Sequence, residues 1–374
     1  MDLLIQNGTV ADPSQRIFRS LDVGVKNGKI VGLFEPGAIS AESAKVRIDA
    51  SGCLVTPGFI DLHVHVFEHR TELGIHADLV GVKQGVTTIV DAGSTGSRDF
   101  QSFLTEVVEK NQTQVLLWIN IASQGLCDGR SELSDLSMLK PDETEALINQ
   151  YPVIRGIKVR MSRSVVKGNG LQPLVIAKKL AQKVGLPLMV HIGNAPPRLG
   201  EILDLLDAGD VVTHAFHGKE GGIVDENGSI LPEAERALKR GVLFDVGHGS
   251  SSFSFRTMKR AKELNVFPHT ISTDIYCENI NGPVFSLVTT MTKLLSLGFT
   301  VEEVIEASTW RPAKVLGLSN EIGTLKEQTI ADITILKMIP EPITLIDSEN
   351  EKMVGNPHLL VQYTIKAGKV LKHV

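Results

Sequence analysis

The sequence predicts an α/β protein built on a (β/α)8 barrel, the TIM-barrel architecture, with a small β-sandwich formed by the two ends of the chain. Strand and helix patterns alternate from residue 59 to about residue 318, and short apolar strands joined by turns occupy both ends. With 374 residues and 42% hydrophobic content, the chain can bury the core of one large domain and that of a smaller second domain. We expect the barrel at 57–319 and a discontinuous sandwich at 1–56 and 320–374.

Both ends of the chain contain segments in which apolar and polar residues alternate. Asn27-Gly28 separates two of these segments, and Asn-Gly is a strong hairpin signal because both residues tolerate a positive φ. Strands are expected at 3–5, 21–25, 29–33, 331–336 and 363–370. Because both ends show the same alternation of apolar and polar residues, we expect them to meet in one sandwich, with the barrel inserted between them.

The middle of the chain has the alternation that is typical of parallel βα units. The expected strands are 59–65, 86–92, 115–122, 156–161, 187–192, 211–215, 242–246 and 270–275, and the expected helices include 98–110, 174–184, 199–208, 232–240, 255–264 and 284–297. Eight units in about 250 residues match a closed barrel. An open, doubly wound sheet is the alternative, although no Gly-x-Gly-x-x-Gly motif follows the first strand.

Composition and charge narrow the class of ligand. A net charge of −5, with no Lys/Arg run, gives no indication of nucleic-acid or membrane binding, so a small neutral or anionic metabolite is expected. Neither a bilayer-spanning run nor a signal-peptide pattern is present. Cys53, Cys127 and Cys277 are scattered and odd in number, which fits a reducing cytoplasm. The oligomeric state is left open, and a homo-oligomer is compatible with the sequence.

The stretch PGFIDLHVH at 57–65 ends in two histidines with one residue between them. If side chains alternate along this strand, Asp61, His63 and His65 share one face. Two imidazoles that converge from one strand end form a pair of nitrogen ligands for zinc or a similar ion. Taken alone, the pair is equally typical of two hydrogen-bonded histidines.

Reactive groups of a barrel gather at the carboxyl ends of its strands, and four further strands carry a polar residue there. These residues are Lys158, His191, His214 and Asp274. Each alone is compatible with a structural role, but chance explains the whole set poorly. An ammonium at Lys158 would be desolvated and repelled by metal cations. Carboxylation by carbon dioxide would turn it into an anionic carbamate that two metals stabilise.

With these residues, the sequence resembles the amidohydrolase superfamily of binuclear-metal hydrolases. Stretch 57–65 matches the opening motif, and the resemblance covers essentially the whole chain. Within the superfamily the chain is most similar to the dihydroorotase-like deacetylases that act on acetyl-hydroxy acids or N-acetyl amino acids. The supporting stretches are GIKVRMS (156–162), VHIG (190–193), THAF (213–216), DVGHG (245–249) and STD (272–274).

The resemblance implies two divalent metal ions, with zinc expected and manganese, iron or nickel left open. The implied ligands are His63, His65 and Asp274 for one ion and His191 and His214 for the other, with carboxylated Lys158 as the bridge.

The implied reaction is hydrolysis by a hydroxide that the two ions share. Asp274 is the expected general base, taking the hydroxide proton and delivering it to the leaving alcohol or amine. His248 is a candidate contact for the oxyanion or the substrate, with loop packing as its alternative role. Arg160 and Arg163 are candidates for clamping a carboxylate, with surface ion pairs as the alternative. His217 stands where relatives commonly have asparagine before glycine, and is a further candidate for substrate binding.

The leading hypothesis is a deacetylase for O-acetyl hydroxy acids or N-acetyl amino acids. A cyclic amide hydrolase of dihydroorotase or hydantoinase type is the alternative, because the same metal centre serves both reactions. A single-metal deaminase would not need Lys158. A non-catalytic scaffold would be expected to lose ligands, whereas this chain retains all six.

Overall fold

The structure, a computed structural model, describes residues 1–372. The N-terminal strands are β1 (Leu3–Gln6), β2 (Thr9–Asp12), β3 (Ile17–Ser20), β4 (Asp22–Lys26), β5 (Lys29–Phe34), β6 (Val46–Asp49) and β7 (Cys53–Pro57). The central strands are β8 (Phe59–Val64), β9 (Val86–Ala92), β10 (Gln114–Asn120), β11 (Ile154–Met161), β12 (Leu188–Ile192), β13 (Val211–Thr213) and β14 (Leu243–Phe244). The C-terminal strands are β15 (Ile333–Ile339), β16 (Ile343–Ile346), β17 (Lys352–Gly355), β18 (His358–Lys366) and β19 (Lys369–Lys372).

Strands from both ends of the chain form two sheets that pack against each other. Their strand orders are β5-β4-β1-β6 and β19-β18-β15-β7-β2-β3. One apolar core, which includes Leu3, Val23, Val55 and Ile333, lies between them. The two ends therefore meet in one sandwich, as predicted, while the domain boundaries at 56/57 and 319/320 stay predictions. The expected Asn27-Gly28 hairpin joins β4 to β5, with φ of 52° and 73° at its two residues.

The central sheet is parallel and has the order β14-β13-β12-β11-β10-β9-β8. The stretch expected as the eighth strand, 270–275, is not a continuous strand. It closes the barrel through two bridges, one from Thr270 to Asp245 beside β14 and one from Ile275 to Val64 of β8. The predicted (β/α)8-type barrel is confirmed, and this closure rules out the open sheet.

Helices connect the strands around the outside. The α-helices are Ala77–Val80, Phe100–Phe103, Pro141–Gln150, Arg163–Val166, Gln172–Val184, Leu199–Asp204, Pro232–Arg240, Phe255–Glu263, Leu287–Ser296, Val301–Ser308 and Trp310–Val315. The helix expected at 98–110 continues beyond Phe103 as a π-helix, Leu104–Val108. Within residues 1–372, none of the helices is long and apolar enough to cross a membrane.

Strand β8, which carries the histidine pair, contains a bulge. Asp61 lies opposite Ile89 of β9, whereas Val64 lies opposite Asp91, so three steps along β8 match two steps along β9. An extra residue of this kind disrupts the alternation of faces and re-aims the side chains that follow it.

The bulge places two consecutive side chains, Leu62 and His63, toward the inside of the barrel. Leu62 joins the inner apolar cluster, and the ring of His63 reaches Lys158. Asp61 instead accepts hydrogen bonds from the backbone N–H and the hydroxyl of Thr273 at 3.0 and 2.5 Å. The expectation that Asp61 and His63 share a face is therefore wrong, because it assumed a regular strand.

Candidate metal centre

The six residues predicted as metal ligands meet at the carboxyl end of the barrel. They are His63 and His65 at the end of β8, Lys158 in β11, His191 in β12, His214 after β13, and Asp274 in the closing stretch. Four of these side chains are buried, whereas His191 and Asp274 are half-buried and border a pocket. The convergence follows from the barrel, because parallel strands end at the same rim.

His63, His65 and Asp274 form the first group of donors. Oδ1 of Asp274 lies 3.2 Å from Nε2 of His63 and 3.2 Å from Nε2 of His65. One ligand atom from each residue lies within 4.8 Å of the other two. Two imidazole nitrogens and a carboxylate oxygen form a donor set that suits zinc and similar divalent ions.

His191 and His214 form a second group beside the first. Nδ1 of His191 lies 2.9 Å from Nε2 of His214, and Oδ2 of Asp274 lies 3.9 Å from the same Nε2. Asp274 therefore directs one oxygen toward each group. Burial acts to raise the pKa of Asp274, but the hydrogen bond to His65 and the nearby positive charges outweigh burial and lower it.

Lys158 lies next to the first group and is fully buried. Its Nζ is 3.2 Å from Nε2 of His63. Burial lowers the pKa of Lys158 to about 7, although the charge of Asp274 opposes this shift. A large fraction of the side chain is therefore a neutral amine near pH 7.

Hydrogen bonds on the outer side of the rings determine which nitrogen faces the centre. Nδ1 of His214 donates to the carbonyl of Gly247 at 2.6 Å. Nδ1 of His63 lies 2.9 Å from the hydroxyl oxygen of Thr213, whose single proton goes to Asp245 at 2.8 Å. His63 must therefore donate this hydrogen bond, so the lone pair of its Nε2 points to the centre.

Asp245 and Thr213 were not predicted as part of the site. The buried carboxylate of Asp245 also accepts hydrogen bonds from Thr270 at 2.7 Å and Ser272 at 2.6 Å. The sequence offered one signal for Asp245, which is its position near the end of the seventh apolar strand. The other polar residues of the site lie at the ends of the other strands.

The donor set fits divalent metal ions. Burial lowers the pKa of His63 and His191 well below the usual range and that of His214 to about 3. These three imidazoles are therefore neutral at physiological pH, and this is the form that binds metals. Together with the ring of His65, the carboxylate of Asp274 and the side chain of Lys158, these three rings form the predicted ligand set.

A pocket of about 220 Å³ opens onto this centre. Its lining includes three of the predicted ligands and three cationic side chains, namely His65, His191, Asp274, Arg130, Arg160 and Lys219. Pockets for drug-sized ligands measure roughly 300–1,000 Å³, so this one suits a small metabolite. Its three cations exceed the single carboxylate, and this favours an anionic ligand.

A larger pocket of about 1170 Å³ lies beside the first. It contains side chains of both charges and none of the six predicted ligands, and it shares only Gly193 and Lys219 with the smaller pocket. Of these two pockets, the smaller one is therefore the one that borders the predicted ligands.

The sequence profile of the amidohydrolase family matches residues 54–371. The chain belongs to the amidohydrolase family. It is a hydrolytic enzyme, and the predicted resemblance is confirmed. Metal dependence is typical of this family, which agrees with the His63, His65 and Asp274 group.

Two curated relatives of this amidohydrolase are named deacetylases. One, from Enterococcus faecalis, is 39% identical over 374 residues, which covers 99% of this chain and 98% of the relative. The other, from Brucella anthropi, is 37% identical over 329 residues, which covers 87% of this chain and 81% of the relative.

Solved structures with the same fold carry different names. A protein described as an adenine deaminase superposes with a TM-score of 0.94 at 39% identity and covers 100% of both chains. A protein described as a dihydroorotase superposes with a TM-score of 0.91 at 31% identity and covers 99% of both chains. The comparisons thus agree on the family and the fold of this amidohydrolase.

The predicted substrate contacts of this amidohydrolase lie in different places. Arg160 lines the small pocket, and Arg163 is exposed and lines a separate one. His248 does not line the small pocket, and it lies between Lys293, whose Nζ is 2.7 Å from Nε2, and the carbonyl of Gly249, 2.9 Å from Nδ1.

His217 is buried and lines the larger pocket rather than the smaller one. Its Nδ1 accepts a hydrogen bond from the backbone N–H of Lys219 at 3.1 Å, and its Nε2 has no partner within residues 1–372. Burial lowers the pKa of His217 to about 4, so the ring is neutral.

Proposed function

We propose that this amidohydrolase removes acetate from small O-acetyl hydroxy acids or N-acetyl amino acids. The observation that carries the proposal is the pocket of about 220 Å³, which is lined by three cationic side chains and by three of the predicted metal ligands. A small acylated acid fits both the volume and the charge. The deacetylase names of two relatives at 39% and 37% identity support the same reaction.

We propose two divalent ions, with zinc as the expected metal. His63, His65 and Asp274 would hold one ion, and His191 and His214 the other. When bound, such a pair polarises the substrate carbonyl and lowers the pKa of a shared water, so that a nucleophile exists near neutral pH.

Lys158 would hold the two ions together as a carbamate. The neutral amine attacks carbon dioxide, forms an N–C bond and loses one proton, which leaves an anionic group with two oxygens. The low pKa of Lys158 favours this reaction because it supplies the neutral amine near pH 7. Carboxylation also removes the ammonium, whose charge would repel cations at this site.

Asp274 would move the proton. It is anionic at neutral pH, and its two oxygens face the two groups of histidines. One oxygen can therefore take the proton of the attacking water and later deliver it to the leaving alcohol or amine.

Cyclic amide hydrolysis is the second candidate. The solved structure described as a dihydroorotase, with 31% identity and a TM-score of 0.91, favours it. The cationic lining of the pocket favours a cyclic amide that carries a negative charge.

The test is a substrate panel with zinc and bicarbonate supplied. Acetate release is measured from acetylated hydroxy acids and amino acids, while dihydroorotate, hydantoin and adenine are assayed in parallel. We expect turnover of at least one acetylated acid. Turnover of a cyclic amide or of adenine, with no acetate release, would overturn the proposal. Metal analysis separates an enzyme from a scaffold, since the enzyme is expected to hold two equivalents.

A further inference from the structure

Two of the three cations that line the small pocket already have carboxylate partners. Nη1 of Arg160 lies 3.0 Å from Oε2 of Glu132, whose side chain has no exposure. Arg130 lies 3.3 Å from Glu72 and 3.3 Å from Glu278. A substrate carboxylate that approached either arginine would therefore compete with a glutamate for its charge.

Lys219 is the third cation, and its ammonium has no carboxylate partner in the part of the chain that the structure describes. Its Nζ donates a hydrogen bond to the hydroxyl of Ser251 at 3.2 Å. An ammonium has three N–H donors, so two remain for a ligand. The side chain is half-buried and lines the pocket together with His191 and Asp274.

The base of Lys219 is held in place. Its backbone N–H donates to Nδ1 of His217 at 3.1 Å, and the buried ring of His217 follows three residues after His214. Lys219 therefore lies in a short loop that follows His214, a predicted metal ligand, and that is held by the hydrogen bond to His217. Burial lowers the pKa of Lys219, while the charge of Asp274 opposes this shift.

We propose that Lys219 binds the carboxylate of the substrate, and that it makes the enzyme prefer acylated acids to neutral acyl compounds. The inference rests on the proposed function and assigns its specificity to one residue. A partly desolvated cation without a counter-charge attracts an anion more strongly than a paired one. His217 is a positioning residue, since it contacts the backbone of Lys219 rather than the small pocket.

A ligand that cannot be hydrolysed tests the inference at equilibrium. The probe is 4-oxopentanoate, in which a CH2 group replaces the scissile NH of N-acetylglycine. Calorimetric titration of the metal-loaded protein compares wild type with Lys219→Met, which keeps the length of the side chain and removes the charge. The conservative variant is Lys219→Arg, and the matched control is Lys239→Met, at an exposed lysine of the Pro232–Arg240 helix.

We expect Lys219→Met to weaken binding of 4-oxopentanoate roughly 10- to 100-fold, the range for loss of a charge-assisted hydrogen bond. Lys219→Arg should retain most of the affinity, and Lys239→Met should match wild type. Undetectable binding by wild type, or equal binding by wild type and Lys219→Met, would overturn the inference.

Kinetics separate specificity from a general structural effect. For the acetylated acid that wild type hydrolyses best, Lys219→Met should raise KM with little change in kcat. For the corresponding carboxamide, KM should not change. Equal losses on the acid and the carboxamide would show a structural role instead. If wild type hydrolyses no acetylated acid, the proposed function fails, and the titration still decides the role of Lys219.

Discussion

Replacing Thr213 by valine should weaken metal binding without touching a predicted ligand. Valine keeps the shape of threonine but removes the oxygen that accepts from Nδ1 of His63 and donates to Asp245. Without this oxygen, the proton on Nδ1 of His63 has two possible fates. It can stay on Nδ1 as a buried N–H without an acceptor, or it can move to Nε2, where it competes with the metal.

The expected magnitude follows from the buried environment. Thr213 and His63 have 0% and 1% of their surface exposed, so water cannot replace the lost acceptor. An unsatisfied buried donor costs about 1–3 kcal/mol. This corresponds to roughly 10- to 100-fold weaker metal binding, which is the range for loss of a hydrogen bond to a metal-binding histidine. Asp245 keeps its bonds from Thr270 and Ser272, so it should remain in place.

Competition with a chromophoric zinc chelator measures the effect. The matched control is Thr334→Val in the sandwich, where a buried threonine donates to the carbonyl of Gly85 at 2.7 Å. Both variants should lose similar free energy of unfolding, but only Thr213→Val should lose zinc affinity. Wild-type zinc affinity in Thr213→Val would refute the assignment of the tautomer and the role of Thr213.

Two further predictions concern buried lysines. Lys158→Ala should lower turnover by at least about 100-fold, because the proposed bridge between the ions would be lost, and added propionate or another short-chain acid should restore part of it. Wild-type turnover in that variant without added acid would contradict the carbamate. Lys293 donates to His248, and burial lowers its pKa to about 7. Because an exposed lysine titrates near 10.4, the unfolded chain binds more protons between about pH 7 and 10, so stability rises with pH over this range. Urea unfolding should show that wild type gains up to about 4 kcal/mol more than Lys293→Met between these pH values. The same pH slope in both proteins would show that Lys293 is not the group responsible.

Much of the fold could be predicted because local patterns determine it. The barrel follows from alternating strand and helix periods, and the β4–β5 hairpin from the positive φ that Asn27 and Gly28 tolerate. The eighth strand was predicted too regularly, since residues 270–275 make only two bridges to their neighbours. The β-propensity of a segment indicates that its backbone is extended, but the neighbouring strands decide how many of its residues form β-bridges.

The convergence of the six predicted ligands could be predicted from the sequence because they share one rule, a polar residue at the end of an apolar strand. Arg130 and Lys219 follow no such rule. They lie in loops after β10 and β13, where conformation depends on contacts such as that between Lys219 and His217. The role proposed for Lys219 also depends on which cations are already paired with carboxylates, and this pairing is set by neighbours in three dimensions.

The sequence by itself determined which elements form, and which imidazole, carboxylate and amine groups lie at one rim of the barrel. Only the tertiary structure decided how those groups point. The bulge between Asp61 and Val64 turns His63 inward. The hydroxyl of Thr213 then assigns its proton to the outer nitrogen. Both effects arise from pairing with residues that are distant in sequence, and no local pattern encodes such pairing.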